Sequence, residues 1–138
     1  MTREQLKSYI SMKAEIKELE DKIKFPDNEV MIGSSVINDY RSGYPVPQAV
    51  VGVDWDKVQR TENRYRKRIA ELEKECRSIE DFIENISDSM TRRIFRMYYI
   101  EGIPQVLIGK AVHLDKSNVS RKIDNFLKIA THATNATL

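Results

Sequence analysis

Residues 105–123 read QVLIGKAVHLDKSNVSRKI and carry the clearest structural pattern of the chain. This stretch holds two short runs of helix-forming residues, separated by His113, Leu114 and Asp115. Two short helices that cross at close range need a small residue at the crossing and an apolar residue in the corner of the turn. Gly109 and Leu114 stand at those two positions, so the stretch predicts a helix-turn-helix.

The apolar residues around this turn repeat with the spacing of two packed helices. Residues three and four apart share a helix face, so an apolar stripe marks the buried side. Pro104 is expected to be the first residue of the first helix. Asp115 is expected to cap the second, which runs from about Lys116 to Ile129. The predicted buried stripe consists of Ile108, Val112, Val119, Ile123, Phe126 and Leu127.

His113 stands where many turns of this kind have glycine, because the backbone there often needs a positive φ. Histidine adopts that conformation less readily than glycine, yet it is one of the residues enriched there. A metal site would need a second ligand, and none stands near His113 in the sequence. We therefore interpret His113 as a turn residue.

A further helix is predicted directly before the motif. Ser87, Asp88 and Ser89 can cap its start, and Gly102 fits its C-terminal end after Glu101. Residues 88–130 thus predict a three-helix domain, followed by a polar tail at 131–138. The apolar residues of this predicted helix include Ile94, Met97, Tyr98 and Ile100.

Two long helices are predicted upstream, because apolar residues repeat there every three and four positions. The first runs from about Thr2 to Lys24 and begins with a capping box formed by Thr2 and Gln5. The second runs from Asp54, its N-cap, to Ile86. The seam positions are Tyr9, Met12, Ile16, Leu19 and Ile23 in the first helix, and Val58, Tyr65, Ile69, Leu72, Cys76, Ile79, Ile83 and Ile86 in the second.

Neither long helix can bury its apolar stripe alone, so residues 1–87 predict an antiparallel helical hairpin or coiled coil. The pattern fits a hairpin alone and a hairpin that also forms a dimer seam equally well. The insert at 25–53 is rich in Gly, Pro and β-branched residues, which fits a small β-hairpin, an irregular cap or a partly disordered segment. The predicted fold class is all-α, with this hairpin joined to a C-terminal helix-turn-helix domain.

Composition restricts the classes of function. The net charge is only +2, but residues 1–87 carry 15 basic and 17 acidic side chains, and residues 88–138 carry 8 and 4. The basic excess in the last third favours an anionic partner. The chain has one cysteine, Cys76, so an internal disulfide is excluded. We interpret Cys76 as a buried residue of the seam. No apolar run of roughly 18 to 20 residues and no signal peptide are recognisable, so we expect a cytoplasmic location and no membrane partner.

The exposed side of the second motif helix is polar and partly basic. With Val119 facing inward, Ser117 and Arg121 point in nearly the opposite direction, and Asp124 lies beside them. A helix presented in this way enters the major groove of double-stranded DNA, where arginine binds guanine and serine binds several bases. The predicted base contacts are Lys116, Ser117, Ser120 and Arg121. The predicted phosphate contacts are Gln105, Lys110, Asn118, Lys122, Arg92 and Arg93.

This C-terminal segment resembles region four of bacterial sigma factors. The likeness lies in the short IGKAVHL helix followed by DKSNVSRKI, with a preceding helix that ends in RMYYIEGIP. The layout of the whole chain is similar to the ArpU/RinA-type phage transcriptional regulators, with a specific match over residues 88–129. The resemblance implies control of phage genes inside a bacterial host cell. Residues 25–53 match no motif of that family.

We therefore expect a phage-type transcriptional regulator without cofactor, metal or catalytic residues. Both histidines, His113 and His132, lie in a turn and a tail, and the glutamates have spacings that suit ion pairs. A homodimer through the heptad helices is expected. The alternative is a helical adaptor that contacts RNA polymerase or a phage component without reading DNA.

Overall fold

The computed structural model describes residues 1–27, 32–39, 41, 43–44 and 46–136, with side chains placed at 1–27, 41, 43–44 and 52–131. The described elements are mainly helices, which confirms the all-α class. In chain order they are α1 (Arg3–Lys7), α2 (Tyr9–Lys24), β1 (Ile32–Asp39), β2 (Val46–Val53), α3 (Trp55–Glu84), α4 (Ser89–Phe95), a π-helical turn (Arg96–Ile100), α5 (Gln105–Val112) and α6 (Lys116–Ala136).

Contacts divide the chain into two compact units. Unit 1 combines Met1–Glu15 with Leu72–Leu138, and unit 2 is Ile16–Glu71. The predicted domains, 1–87 and 88–130, are defined along the chain and stay a prediction. Unit 1 draws on both ends of the sequence. In the described part of the chain, no helix has the length and the apolar character that crossing a membrane requires.

The N-terminal residues of unit 1 begin with the predicted capping box. The Thr2 hydroxyl accepts a hydrogen bond from the Gln5 amide at 3.2 Å, and the Gln5 side chain accepts one from the Thr2 amide at 2.7 Å. Ser8 interrupts the predicted helix, so α1 and α2 are separate. Leu6 is completely buried. These few residues therefore contribute directly to the core of unit 1.

The two long helices run antiparallel, as predicted. In unit 1 the Tyr9 hydroxyl donates to Glu80 Oε1 at 2.5 Å, and in unit 2 the Lys22 ammonium lies 5.9 Å from the ring centroid of Tyr65. Lys22 follows Tyr9 in α2, whereas its partner Tyr65 precedes Glu80 in α3. The two helices therefore run in opposite directions. Burial, and next the hydrogen bond to Glu80, raises the pKa of the Tyr9 hydroxyl.

Burial along the α3 seam differs between the units. Asp54 caps α3 by accepting a hydrogen bond from the Lys57 amide at 3.1 Å. The seam residues of the second half, from Leu72 onward, are buried. Tyr65 and Ile69 in the first half are only half-buried, and Ile16 is the one buried residue among the described side chains of unit 2. The tightly packed core therefore belongs to unit 1.

The insert between α2 and α3 contains an antiparallel strand pair. β1 and β2 are in register from Ile32 opposite Val53 to Asp39 opposite Val46. Of the three alternatives for residues 25–53, the structure thus adopts the small hairpin. Residues 28–31, 40, 42 and 45 lie outside the described residues.

The helix before the motif departs from the predicted course. The Asp88 side chain caps α4 by accepting hydrogen bonds from the Thr91 amide and hydroxyl, at 3.0 and 2.6 Å. From Arg96 onward the turn widens, and the Glu101 amide bonds to the Arg96 carbonyl five residues back. The buried residues of α4 and the π-helical turn are Thr91, Ile94, Phe95 and Tyr99, whereas Met97, Tyr98 and Ile100 are half-buried.

Candidate nucleic-acid interface

The first motif helix begins one residue later than predicted. Pro104 has an extended backbone, with φ −60° and ψ 145°, and is therefore the N-cap of α5. Its carbonyl accepts hydrogen bonds from the amides of Leu107 and Ile108, at 3.0 and 3.1 Å. Gly102 precedes it with a φ of +69°, as expected for a residue that ends a helix. The first helical residue is Gln105.

His113 forms the turn between the two motif helices. Its backbone is left-handed, with φ 59° and ψ 43°, and its amide bonds to the Gly109 carbonyl. The Leu114 amide bonds to the same carbonyl at 2.8 Å. This pair of hydrogen bonds closes the C-terminus of α5. The interpretation of His113 as a turn residue with positive φ is confirmed.

Gly109 in α5 lies directly against the turn that leads into α6. A Cβ atom at this position would overlap the carbonyl oxygen of Leu114. No conformational change of a side chain could relieve that overlap, because the obstacle is backbone. The prediction that position 109 needs a small residue is confirmed. Leu114, which follows the turn, is half-buried.

The inner face of α6 matches the predicted stripe. Val119, Ile123 and Leu127 are buried. Phe126 is half-buried, and its ring lies 5.1 Å from that of Phe95 and 6.1 Å from that of Phe82. These contacts hold α6 against α3 and α4 within unit 1, so its outer face has a fixed orientation in that unit.

The second motif helix is longer than predicted. It continues past the expected end at Ile129 to Ala136, so most of the predicted tail at 131–138 is helical. The sequence after Ile129 contains no Gly or Pro that would end a helix. Residues 137–138 lie outside the described part.

The predicted base contacts lie together on the outer face of α6. A helix turns about 100° per residue, so Ser117 and Arg121 point away from the buried Val119. Lys116, Ser117 and Arg121 are exposed, and Ser120 is half-buried at the edge of the face. Lys116 also lines an open groove at the turn together with Lys110, His113 and Asp115.

The predicted phosphate contacts differ in exposure. Lys110 and Arg93 are exposed, whereas the other four side chains are half-buried. Arg92 uses one guanidinium nitrogen to donate to the Ile86 carbonyl at 2.8 Å. The hydrogen bonds from Thr91, and to a lesser degree the positive charges of Lys122 and Arg92, lower the pKa of Asp88. The four half-buried side chains are Gln105, Asn118, Lys122 and Arg92.

Asp124 does not lie free beside the predicted base contacts. Its carboxylate forms an ion pair with the Arg3 guanidinium from α1, and this hydrogen bond raises the pKa of Arg3. The negative charge that sequence reasoning placed next to Arg121 is therefore matched by a cation. No local pattern could reveal this pair, because 121 residues separate its members.

Asn125 is a residue of this face that sequence reasoning missed. It is exposed and follows Arg121 by four positions, so both side chains project from the same side of α6. Lys128 continues this exposed side one turn further. The spacing of four residues from Arg121 was the available signal.

The described residues contain no group of three or more His, Cys, Asp or Glu side chains that could hold a metal ion. Cys76 is buried, and burial raises the pKa of its thiol. Comparisons of the chain with protein-family models, curated proteins and solved structures found no match.

Proposed function

We propose that this protein is a transcriptional regulator that binds double-stranded DNA by inserting α6 into the major groove. The close approach of the turn between α5 and α6 to Gly109 is the observation that carries the proposal. It is accompanied by a left-handed His113 and an outer face with Ser117 and Arg121. In this arrangement the N-terminal half of the second helix reaches base edges, while neighbouring cations contact phosphates.

Charge supports the same proposal. Residues 88–138 carry eight basic and four acidic side chains, and one of the acids, Asp124, is paired with Arg3. Arg96 of the same segment is paired with Glu84, so these two ion pairs leave its basic excess unchanged. The resemblance to sigma factor region four, and to the ArpU/RinA-type phage regulators, makes a phage gene in a bacterial host cell the proposed target.

Selection of bound duplexes from a random DNA library tests the proposal. An enriched site should lose affinity steeply as the salt concentration rises. Arg121→Ala should weaken binding to that site by about 1–3 kcal/mol and relax the preference at one base pair. Lys24→Ala on α2 removes the same charge far along the chain and serves as the control. The absence of any enriched sequence would refute sequence-specific DNA reading.

A helical adaptor is a second candidate, because α5 exposes two apolar side chains. Val106 is 49% exposed and Leu107 50% exposed, and such residues suit a protein partner such as RNA polymerase. Replacing both by serine should abolish capture of purified RNA polymerase and leave the selected duplex bound with parental affinity. Unchanged capture would remove the basis for this candidate.

We further propose that the long helices mediate self-association. In unit 2 the seam residues Tyr65 and Ile69 are half-buried, so a second copy could cover apolar surface that the hairpin leaves open. Sedimentation equilibrium should show a dimer whose population rises with protein concentration. A single monomeric species at high concentration would contradict the proposal.

A further inference from the structure

The first half of α3 has a row of basic side chains on one helix face. Lys57, Arg60, Arg64 and Lys67 are all exposed and follow one another at spacings of three, four and three residues. Such spacings place side chains on one side of a helix. We refer to these four residues as the basic stripe. All of them belong to unit 2.

The basic stripe is part of a wider separation of charge along α3. Residues 55–70 contain six basic and two acidic side chains, a net of +4, and residues 71–84 contain two basic and six acidic ones, a net of −4. Ion pairs on the basic half join Arg66 to Glu62 at 2.6 Å and Arg68 to Glu71 at 3.4 Å. These pairs use cations that lie outside the stripe.

The antiparallel neighbour α2 does not balance this charge. Residues 16–24 of α2 contain three basic and three acidic side chains, so their net charge is zero. Like charges spaced three or four residues apart destabilise a helix by roughly 0.2–0.5 kcal/mol per pair. The spacing of Arg60, Arg64 and Lys67 therefore costs stability in the isolated protein, and an anionic partner would offset that cost.

The chemistry of the stripe favours a polyanion over a folded protein partner. Protein interfaces are built around an apolar core with aromatic residues, whereas the exposed stripe presents cations at regular intervals. From Arg60 to Lys67 the helix rises by about 10 Å. Duplex DNA carries one phosphate charge per roughly 1.7 Å of its axis, so several phosphates lie within that length.

We infer that the basic stripe on α3 is a second DNA-binding surface, which contacts the phosphate backbone of duplex DNA without reading its sequence. The choice of duplex DNA among polyanions rests on the proposed function of α6. Because Lys and Arg side chains release counterions when they bind phosphates, this surface adds to the salt dependence of binding. It contributes equally on every DNA sequence.

The test compares two triple variants of the full chain. R60Q/R64Q/K67Q removes three charges from the stripe, and K17Q/R66Q/R77Q removes three exposed charges elsewhere on α2 and α3. Both are titrated with a 40-base-pair duplex of mixed sequence across a series of salt concentrations, after circular dichroism has verified the helical content. The stripe variant should lower the slope of log K against log salt by about 2 to 3, at roughly 0.9 per lost contact. The control variant should keep the parental slope.

A stripe variant with the parental slope overturns the inference, even if it loses binding to anionic vesicles or to an acidic protein. The outcome is separable from that of the α6 proposal. If Arg121→Ala impairs the selected site while the stripe variant keeps its slope, only the stripe inference fails. If no site can be selected while the stripe variant still lowers the slope on mixed duplex, the α6 proposal fails and the stripe inference is supported.

Discussion

At position 109 the path of the chain leaves no space for a side chain. Alanine would normally stabilise a helix interior relative to glycine by about 1 kcal/mol, but its Cβ would overlap the Leu114 carbonyl. We expect Gly109→Ala to lower the free energy of unfolding by about 1–3 kcal/mol, as overpacking does. Urea denaturation measures this loss. Lys110→Ala, at the exposed neighbouring position, should change stability by less than about 0.5 kcal/mol. Parental stability of Gly109→Ala would contradict the observed close approach of the Leu114 carbonyl.

Two buried tyrosines of unit 1 differ in the partners of their hydroxyl groups. Tyr9 donates to Glu80, whereas the buried Tyr99 hydroxyl has no hydrogen-bond partner among the described residues. Tyr9→Phe should therefore cost about 1.5–3 kcal/mol, because it removes a hydrogen bond to a charged group. Tyr99→Phe removes an unsatisfied polar atom and should leave stability unchanged or raise it. Thermal and urea unfolding of both variants measure the difference. An equal loss of unfolding free energy in the two variants would contradict the hydrogen bonding described here.

The backbone conformation of His113 could be predicted from its sequence neighbours. The pattern of Gly109 and Leu114 located the turn, and the turn required a positive φ at His113, which the structure has. Local sterics were sufficient because all three residues lie within six positions. The pairing of Asp124 with Arg3 was beyond such reasoning, since it depends on where α1 packs.

Along α3, the depth of burial changes while the seam pattern continues. Ile79 is almost fully buried, and Ile69 is half-buried. Ile79→Ala should cost about 2–5 kcal/mol, because it leaves a cavity in the core. The same substitution at Ile69 should cost roughly half as much or less, since solvent already reaches that side chain. Chemical denaturation of the two matched variants tests the prediction, and equal costs would disprove it.

The helices could be predicted where their spacing and capping residues lie close together in the sequence. The periodic spacing of apolar residues placed α3 within two residues of its observed ends, and caps fixed the starts at Thr2, Asp54 and Asp88. The widened turn at 96–100 was not predictable, because the residues there are compatible with an ordinary helix. The strand pair remained one of three alternatives, since its register depends on pairing between distant residues.

For the whole molecule, the uneven core predicts uneven stability. Nearly all buried side chains belong to unit 1, and unit 2 contributes only Ile16 among those described. Local opening requires less free energy where few apolar contacts are lost. We expect backbone amides of residues 58–68 in α3 to exchange with deuterium faster than those of residues 76–83. Hydrogen exchange followed by mass spectrometry measures this, and equal protection along α3 would contradict it.

The candidate site could be predicted in outline but not in full. The exposed face of α6 followed from the period of the helix, so Ser117 and Arg121 were placed correctly on one side. The hydrogen bond from Arg92 to the Ile86 carbonyl, which follows α3, depends on how α4 packs. The basic stripe lay hidden in the near-neutral total of residues 1–87, because charge summed over a long segment conceals its distribution.

The ion pair between Arg3 and Asp124 has a consequence for synthesis on the ribosome. The residues of α1 emerge early, yet their partners in unit 1 are translated 121 positions later. At about 5–20 residues per second, Arg3 waits roughly 6 to 24 seconds before Asp124 has been added to the chain. Leu6, which is fully buried in the finished fold, remains exposed to chaperones during that interval. The unit that carries α6 therefore completes its folding only after Asp124 has been translated.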